Sequence, residues 1–449
     1  MPTLPTERAA HDRGPLVALL AMVAAYAAGY GWMAWERFAT FHSMFDMSYY
    51  MRLVWGLAHG RPDLPLVGAR HFLGLHLEPI LFPLAWLHGQ GAPLAPLLLG
   101  VQTLAAALVA VPAFRLAARH LGSPCFGLVG AGLALLYPTV TVATLHDFHP
   151  VTLALPLLLA TVDALDEDRL LRAAAFGIAA LACREDVALQ LACLALAQAV
   201  LRSGRARMLA CAASGLLVAY FAIYVFIVQP PLVPPTGSWN LHFAPIAGVD
   251  IRSGADLLRA FALHPAAFLS HLTTWDRLVY ALLLLAPLGF LGLLAPRFLA
   301  GALPVFVLNL LSDFPRVRTV EAHYATTIAP FVIGASLVGA GKLREILAGR
   351  GRLALPAALL ALVTASHVLW GGSPLAVLSP KWRDTGLAEP ANVAAIREAI
   401  RAVPKDASVS AHPNILAHLS ERPRPIWLPD HTDGLPVDRV ITLTPEPGR

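Results

Sequence analysis

The chain has 449 residues, 57% of them hydrophobic and only 14% charged; 30 Arg and 3 Lys against 28 acidic residues leave a net charge of +5. Soluble domains carry roughly 25% charged residues, so a soluble enzyme, a secreted disulfide scaffold and a disordered chain are excluded. The Arg excess comes with no recognition helix, zinc-finger spacing or basic-aromatic strand pattern, so no nucleic-acid partner is expected.

Six stretches, 15–35, 93–114, 121–145, 208–228, 278–296 and 353–372, contain no Asp, Glu, Lys or Arg. A helix of about 20 apolar residues crosses a bilayer. The expected fold is therefore an all-α polytopic membrane protein. Residues 16–35 follow Arg8 and Arg13 and are long enough to span, so they read as an uncleaved anchor. The four cysteines, Cys125, Cys183, Cys193 and Cys211, lie in apolar segments and read as small buried packing residues.

Basic residues mark cytoplasmic loops. With the N-terminus in the cytoplasm, the first span exits near Trp35 and 36–92 form a long external loop. The run 93–114 returns to Arg115 and Arg119. Then 123–144 goes out, 150–165 returns to Arg169 and Arg172, 173–183 goes out, and 187–201 returns to Arg202, Arg205 and Arg207. Residues 208–228 exit to a second long external loop, 229–276. The run 278–296 returns to Arg297 and 298–311 exits. Residues 325–341 return to Lys342, Arg344, Arg350 and Arg352, and 353–371 exit. That is about eleven spans and an external C-terminus. The short runs 173–183 and 187–201 flank Arg184-Glu185-Asp186. As one helix they would bury three charges in mid-membrane and reverse everything downstream, so two short helices meeting in a recessed external turn are expected. The transmembrane domain covers 1–372. Residues 373–449 read as a small α/β extracytoplasmic module, with helix-like stretches at 390–402 and 412–420 and strand-like runs at 408–410, 425–428 and 439–443.

This topology places five polar clusters on one external face. Asp46 opens a stretch whose Tyr50, Leu53, Val54 and Leu57 recur at i, i+3, i+4 and i+7, the pattern of an amphipathic helix on the membrane surface. Asp46 is either a carboxylate favoured by the helix dipole or a general base at the bilayer boundary. His71, His76 and Glu78 form a second cluster, and His146, Asp147 and His149 before Pro150 a third. Among them His76, Glu78, Asp147 and His149 are compatible with a divalent metal ion, although the spacing matches no zinc signature and interfacial histidines also serve as anchors. In the fourth, Arg184 either closes a self-satisfied turn or reaches an anionic substrate group, with Glu185 or Asp186 orienting it. In the fifth, Arg316 and Arg318 offer forked donors suited to phosphate, and His323 and Tyr324 open the next span.

The ordered set Phe45-Asp46, "YYMRLVWGLAHG", "HFLGLHLEPI", "HDFHP", "REDVAL" and "HYATTIAPF", with "ASVSAHPNILAHLSER" in the tail, resembles the bacterial membrane proteins of the domain of unknown function 2079 family across nearly the whole chain. That family's layout is similar to the GT-C membrane glycosyltransferases. The resemblance implies a multi-pass protein of the bacterial cytoplasmic membrane and a polyprenyl-phosphate-linked sugar donor. It also implies a catalytic carboxylate at Asp46, which stands alone where the GT-C acidic motif is often paired. Two rival readings remain at this stage: a flippase or transporter of a lipid-linked substrate, and a non-catalytic assembly subunit that docks through its C-terminal module.

Overall fold

The computed structural model describes residues 13–63, 71–232, 242, 243, 246, 248–347, 353–379, 393–428 and 437–441. Arg8, Arg350, Arg352, most of the loop between 233 and 247, and the outer ends of the expected 390–402 and 439–443 elements lie outside the described residues.

The chain is mostly helical. The N-terminal half runs α1 Gly14–Ala39, α2 Phe45–Ala58, α3 Leu81–Gly89, α4 Leu94–Leu108, α5 Ala110–Leu121, α6 Pro124–Leu136, α7 Pro138–Leu145, α8 Pro150–Asp166, α9 Leu170–Leu181 and α10 Val187–Val200. It continues with α11 Gly204–Ile223, α12 Gly254–Leu263, α13 Pro265–His271, α14 Trp275–Leu285, α15 Pro296–Leu299, α16 Leu303–Leu311, α17 Ala329–Ile346 and α18 Ala354–Trp370. The C-terminal part holds α19 Val393–Arg401, β1 Val409–Ala411, α20 Pro413–Leu416, β2 Ile426–Trp427 and β3 Arg439–Ile441. These strands form a parallel sheet in the order β2-β1-β3, with Val409 opposite Ile426 and Arg439.

Among the described residues three helices are long and apolar enough to cross a membrane alone: Gly14–Ala39, Leu94–Leu121 and Gly204–Leu232. The pair α6–α7, bent by 53°, makes a fourth if counted as one span. Shorter apolar helices, Leu170–Leu181, Val187–Val200, Pro296–Leu311 and Ala354–Trp370, accompany them, and the expected count of about eleven spans is not confirmed. Proline and glycine explain the breaks. Pro138 lacks the N–H that would continue α6 into α7. The run 278–296 becomes α14 and two 3-10 turns around Gly289, whose φ of +61° suits a residue without Cβ. The helices α9 and α10, of 12 and 14 residues, fold back as a hairpin, and a Cβ at Gly177 would lie 3.5 Å from the Leu191 side chain. The four cysteines are free, but only Cys183 is fully buried; Cys125 and Cys211 are exposed on the apolar exterior.

The bundle has two polar ends. At one, Arg115 pairs with Asp163 at 2.6 Å and Glu167 at 2.7 Å, and Arg119 reaches Asp163, Asp166 and Glu167. Arg297 reaches Asp166 at 3.5 Å, Arg202 pairs with Asp168 at 2.5 Å, and Arg344 donates to the His120 carbonyl. The basic loops read as cytoplasmic from the sequence thus share one face. The 17 residues of α8 run from this face to His149, about 25 Å at 1.5 Å per residue.

At the opposite end α2 departs from expectation. It does not lie along the lipid surface: Met47 through Gly56 are all buried. The apolar residues Tyr50, Leu53 and Val54 face the bundle, and the C-terminal segment covers the other side. Arg52 donates to the Arg422 carbonyl at 2.5 Å, Arg61 to the Pro423 carbonyl at 2.6 Å, and the Ser420 hydroxyl to the Ser48 carbonyl at 3.4 Å. The His418 ring stacks on Phe38 at 4.2 Å. Positions 48 and 52 therefore hold the C-terminal segment, which leaves 46, 49 and 50 for the interior.

Candidate functional site

The turn between α7 and α8 is held from below by one amide. Gln102, fully buried in α4, donates Nε2 to the carbonyls of His146 at 2.9 Å and Thr144 at 3.3 Å, and its Oε1 accepts the His149 N–H at 2.8 Å. No charged residue at this depth could satisfy two acceptors and a donor together. We predict that Gln102→Leu, which fits the span but leaves three buried backbone groups unpaired, costs about 3 kcal/mol. A melt in detergent checks this, and an unchanged midpoint would show that the turn holds itself.

The turn in turn seats α2. Met44 and Met47 have no local side chain to cap the helix. The buried Asp147 carboxylate accepts both N–H groups, at 2.8 Å and 3.0 Å, from a hundred residues away. Burial and then the Asp46 charge raise the Asp147 pKa, and these two N–H bonds oppose the rise. Asp147 is thus a positioning residue, and Asp46 in the first turn is set against His149, with Oδ2 3.4 Å from Nε2.

A cavity of about 420 Å³ opens beside this pair. Asp46, Tyr49, Tyr50, His76, His149, Arg184, Glu185, Asp186, His323 and Tyr324 line it. Arg184 is turned on its own neighbour: Nε donates to Asp186 Oδ1 at 2.8 Å, and a terminal N–H completes the fork on Oδ2. Glu185 goes elsewhere, accepting from His76 Nδ1 at 2.9 Å and the Leu77 N–H at 2.9 Å. Of the two carboxylates, Asp186 orients Arg184 and Glu185 orients His76. The hairpin arms measure about 18 and 21 Å at 1.5 Å per residue, against about 30 Å of hydrocarbon. Asp168 and Arg202 tie the far ends of the two arms to each other.

Other expected residues stand outside the cavity. His71 accepts the Leu73 N–H at 3.1 Å and caps a short turn. Glu78 lies behind the wall and accepts the Tyr50 hydroxyl at 2.9 Å. Arg318 is not available for a phosphate: it pairs with Asp276 at 2.7 Å and donates to the Ser312 carbonyl. Arg316 is exposed beside it and does not line the cavity. The expected metal candidates also disperse. Only His149 belongs to the group of possible ligands found among the described residues, which joins Asp46, His146, His149 and His323 within 4.8 Å. His76, Glu78 and Asp147 are each committed to the hydrogen bonds above.

The family described as "Predicted membrane protein (DUF2079)" matches residues 37–440. The chain belongs to this family. No curated protein matches it. In this DUF2079 protein the match begins at Arg37, just before α2, and ends in β3, so it takes in the cavity, the ionic face and the C-terminal sheet together.

Sequence reasoning missed Gln102, Tyr49, Asn309 and His242. The amides carried a signal, since each stands alone in an apolar run. Asn309 donates to Tyr280 Oη at 2.8 Å and to the Tyr324 carbonyl at 3.1 Å, which fixes the cavity's far wall. His242 lines the cavity from the long loop, where composition offers nothing to single it out.

Two groups beside the cavity are shifted in opposite chemical senses. Burial raises Glu78 to about 7. Burial would lower His76, but the Glu185 charge and hydrogen bond lift it to about 9. Glu78 binds its proton more tightly folded than unfolded. Its contribution is therefore present below pH 4.5 and is lost as pH rises to about 7. We predict that stability falls on the order of 3 kcal/mol across that window, and that Glu78→Gln, which keeps an acceptor for Tyr50, flattens it. Melts at a series of pH values check this; an unchanged slope in the variant assigns the fall to another group.

Proposed function

We propose that this protein is a membrane glycosyltransferase of GT-C-like layout. It takes a polyprenyl-phosphate-linked sugar on the extracytoplasmic side of the bacterial cytoplasmic membrane and modifies a lipid, glycan or protein acceptor. The observation that carries the reading is the succession of two unlike spaces along one helix. An apolar groove of about 480 Å³ runs between α9, α10 and α11 and includes Ile178, Leu191, Leu209, Leu216 and Leu217. Ile178 and Leu216 are 68% and 73% exposed, as lipid-facing residues are. Further along the same helix, Phe221 and Val225 line the polar cavity, and the turn after α9 delivers Arg184. A long apolar tail with a phosphate at its end fits that sequence of surfaces.

In this reading the phosphate lies by Arg184, whose fork is already aimed by Asp186. The bond between the anomeric carbon and the phosphate oxygen breaks, and the electron pair leaves on the phosphate, where Arg184 offsets the growing charge. The acceptor hydroxyl oxygen bonds to the anomeric carbon and gives its proton to the Asp46 oxygen that faces away from His149. His76, His323 and Tyr324 hold sugar hydroxyls.

We also propose 1–372 as the transmembrane domain and 373–449 as the extracytoplasmic module. Its observed contacts go to α1, α2 and α3 of its own chain, which favours an internal brace for the catalytic helix over a docking platform for another protein. The test is mass spectrometry of lipids retained by the purified chain. A polyprenyl phosphate or its sugar conjugate, enriched over bulk phospholipid and lost in Arg184→Gln, is expected. Bulk phospholipid alone, unaffected by that substitution, would sink the reading.

A further inference from the structure

We infer that Asp46, His146, His149 and His323 form a binding site for a divalent transition metal ion of the zinc type. One ligand atom from each lies within 4.8 Å of the others. They arrive from three separate segments: the first turn of α2, the α7–α8 turn, and the 3-10 turn His323–Ala325. Such convergence is not a by-product of local sequence.

The spacing suits a metal. Zinc bonds of 2.0–2.1 Å to nitrogen and oxygen give tetrahedral edges of about 3.3 Å. The edge between His149 Nε2 and Asp46 Oδ2 is already 3.4 Å. The orientation of His149 suits it too. Its Nδ1 lies 2.8 Å from the Asp147 carbonyl, which can only accept, so Nδ1 carries the proton and Nε2 presents a lone pair to Asp46. The supporting groups are stiff. Gln102 fixes the backbone on both sides of the turn, and Asp147 fixes the helix that carries Asp46. Three imidazoles with one carboxylate select zinc and its neighbours in the first transition row. Magnesium and calcium prefer sites built of oxygen.

One adjustment is required. His149 and His323 stack with centroids 3.7 Å apart and planes at 23°, while His146 stands edge-on to both at 5.2 and 5.1 Å. Parallel rings do not aim two lone pairs at one point, so binding fans the rings apart. His149 is held at both its ring and its backbone, so the adjustment falls to the partly buried His146 and His323. Asp46, His149 and His323 also line the cavity, so the metal stands where an oxygen of a substrate can join it. The inference does not depend on the transfer reaction, because occupancy is measured directly.

The experiment uses the full chain in detergent, carrying an affinity tag without histidine, stripped with chelator and titrated with zinc and then cobalt. About one zinc ion per chain and the visible absorption bands of cobalt in a nitrogen-oxygen site are expected. His146→Ala and His323→Ala should each weaken binding by about 100-fold, at least what outer-shell changes cost, and abolish the bands. His264→Ala, at the exposed end of α12, should leave both unchanged. A wild-type chain that shows neither stoichiometric uptake nor cobalt bands overturns the inference without reference to any variant. So do His146→Ala and His323→Ala proteins that elute normally and bind as the wild type does.

Discussion

Asp46→Asn is expected to lower transfer about 1,000-fold, within the range ascribed to a positioned base, while the protein still folds. The substitution keeps shape and removes the proton-accepting charge. Its structural cost is small, because Asp46 lies in the first turn of α2 with its side chain 32% exposed. There the helix dipole favours a carboxylate by about 1 kcal/mol or less. The helix itself is held by Asp147 and by the C-terminal segment, neither of which touches the Asp46 carboxylate oxygens. The measurement pairs a transfer assay on the retained lipid donor with a melt. Full activity in the asparagine variant would remove Asp46 from the chemistry. A large loss of stability would instead make its contact with His149 structural. Asp147→Asn should fall between these outcomes, with weaker N–H acceptance, a less ordered α2 and a partial loss of rate.

The membrane class and the location of the polar residues were legible in the sequence because charges in an apolar chain are costly and therefore conspicuous. Asp46, the HDFHP turn and the Arg184-Glu185-Asp186 turn all stood out, and all converge on one end of the bundle. What each polar group is bonded to was not legible. Asp147 carries the same charge as Asp46, two residues from His149, yet it turns backwards to cap a helix. That choice depends on Met44 arriving from a hundred residues upstream. Arg318 reads as a phosphate donor until Asp276 is brought beside it. The misreading of α2 has the same origin: its apolar stripe was real, but periodicity cannot tell lipid from protein as the covering material. Here the cover comes from residues 418–423, more than 360 positions away. The lengths of the apolar helices were not legible for a different reason. Charge-free length measures what could cross, whereas Pro138, Gly289 and Pro296 decide where a helix stops.

Arg184→Gln is expected to cut transfer by 100-fold to 1,000-fold, roughly the loss seen when one preorganised donor to a developing negative charge is removed. It should also destabilise the protein. Asp186 is only 16% exposed and its two oxygens are both taken by Arg184. Removing one partner of such a pair strands a charge, at about 3–5 kcal/mol. A fall in activity alone would therefore be ambiguous, and the double variant resolves it. Arg184→Gln with Asp186→Asn replaces the ion pair by two amides that can bond to each other, so the melting temperature should return toward the wild type. Transfer should not return, because the guanidinium offered to the phosphate is gone. Recovery of both would assign the pair to the fold alone and leave the phosphate without a partner in that turn. Arg184→Lys separates charge from geometry: the ammonium keeps the sign but loses the fork on Asp186. An intermediate rate with a normal melt is the expected result, since the lysine can approach a phosphate as a point charge but is no longer held in aim.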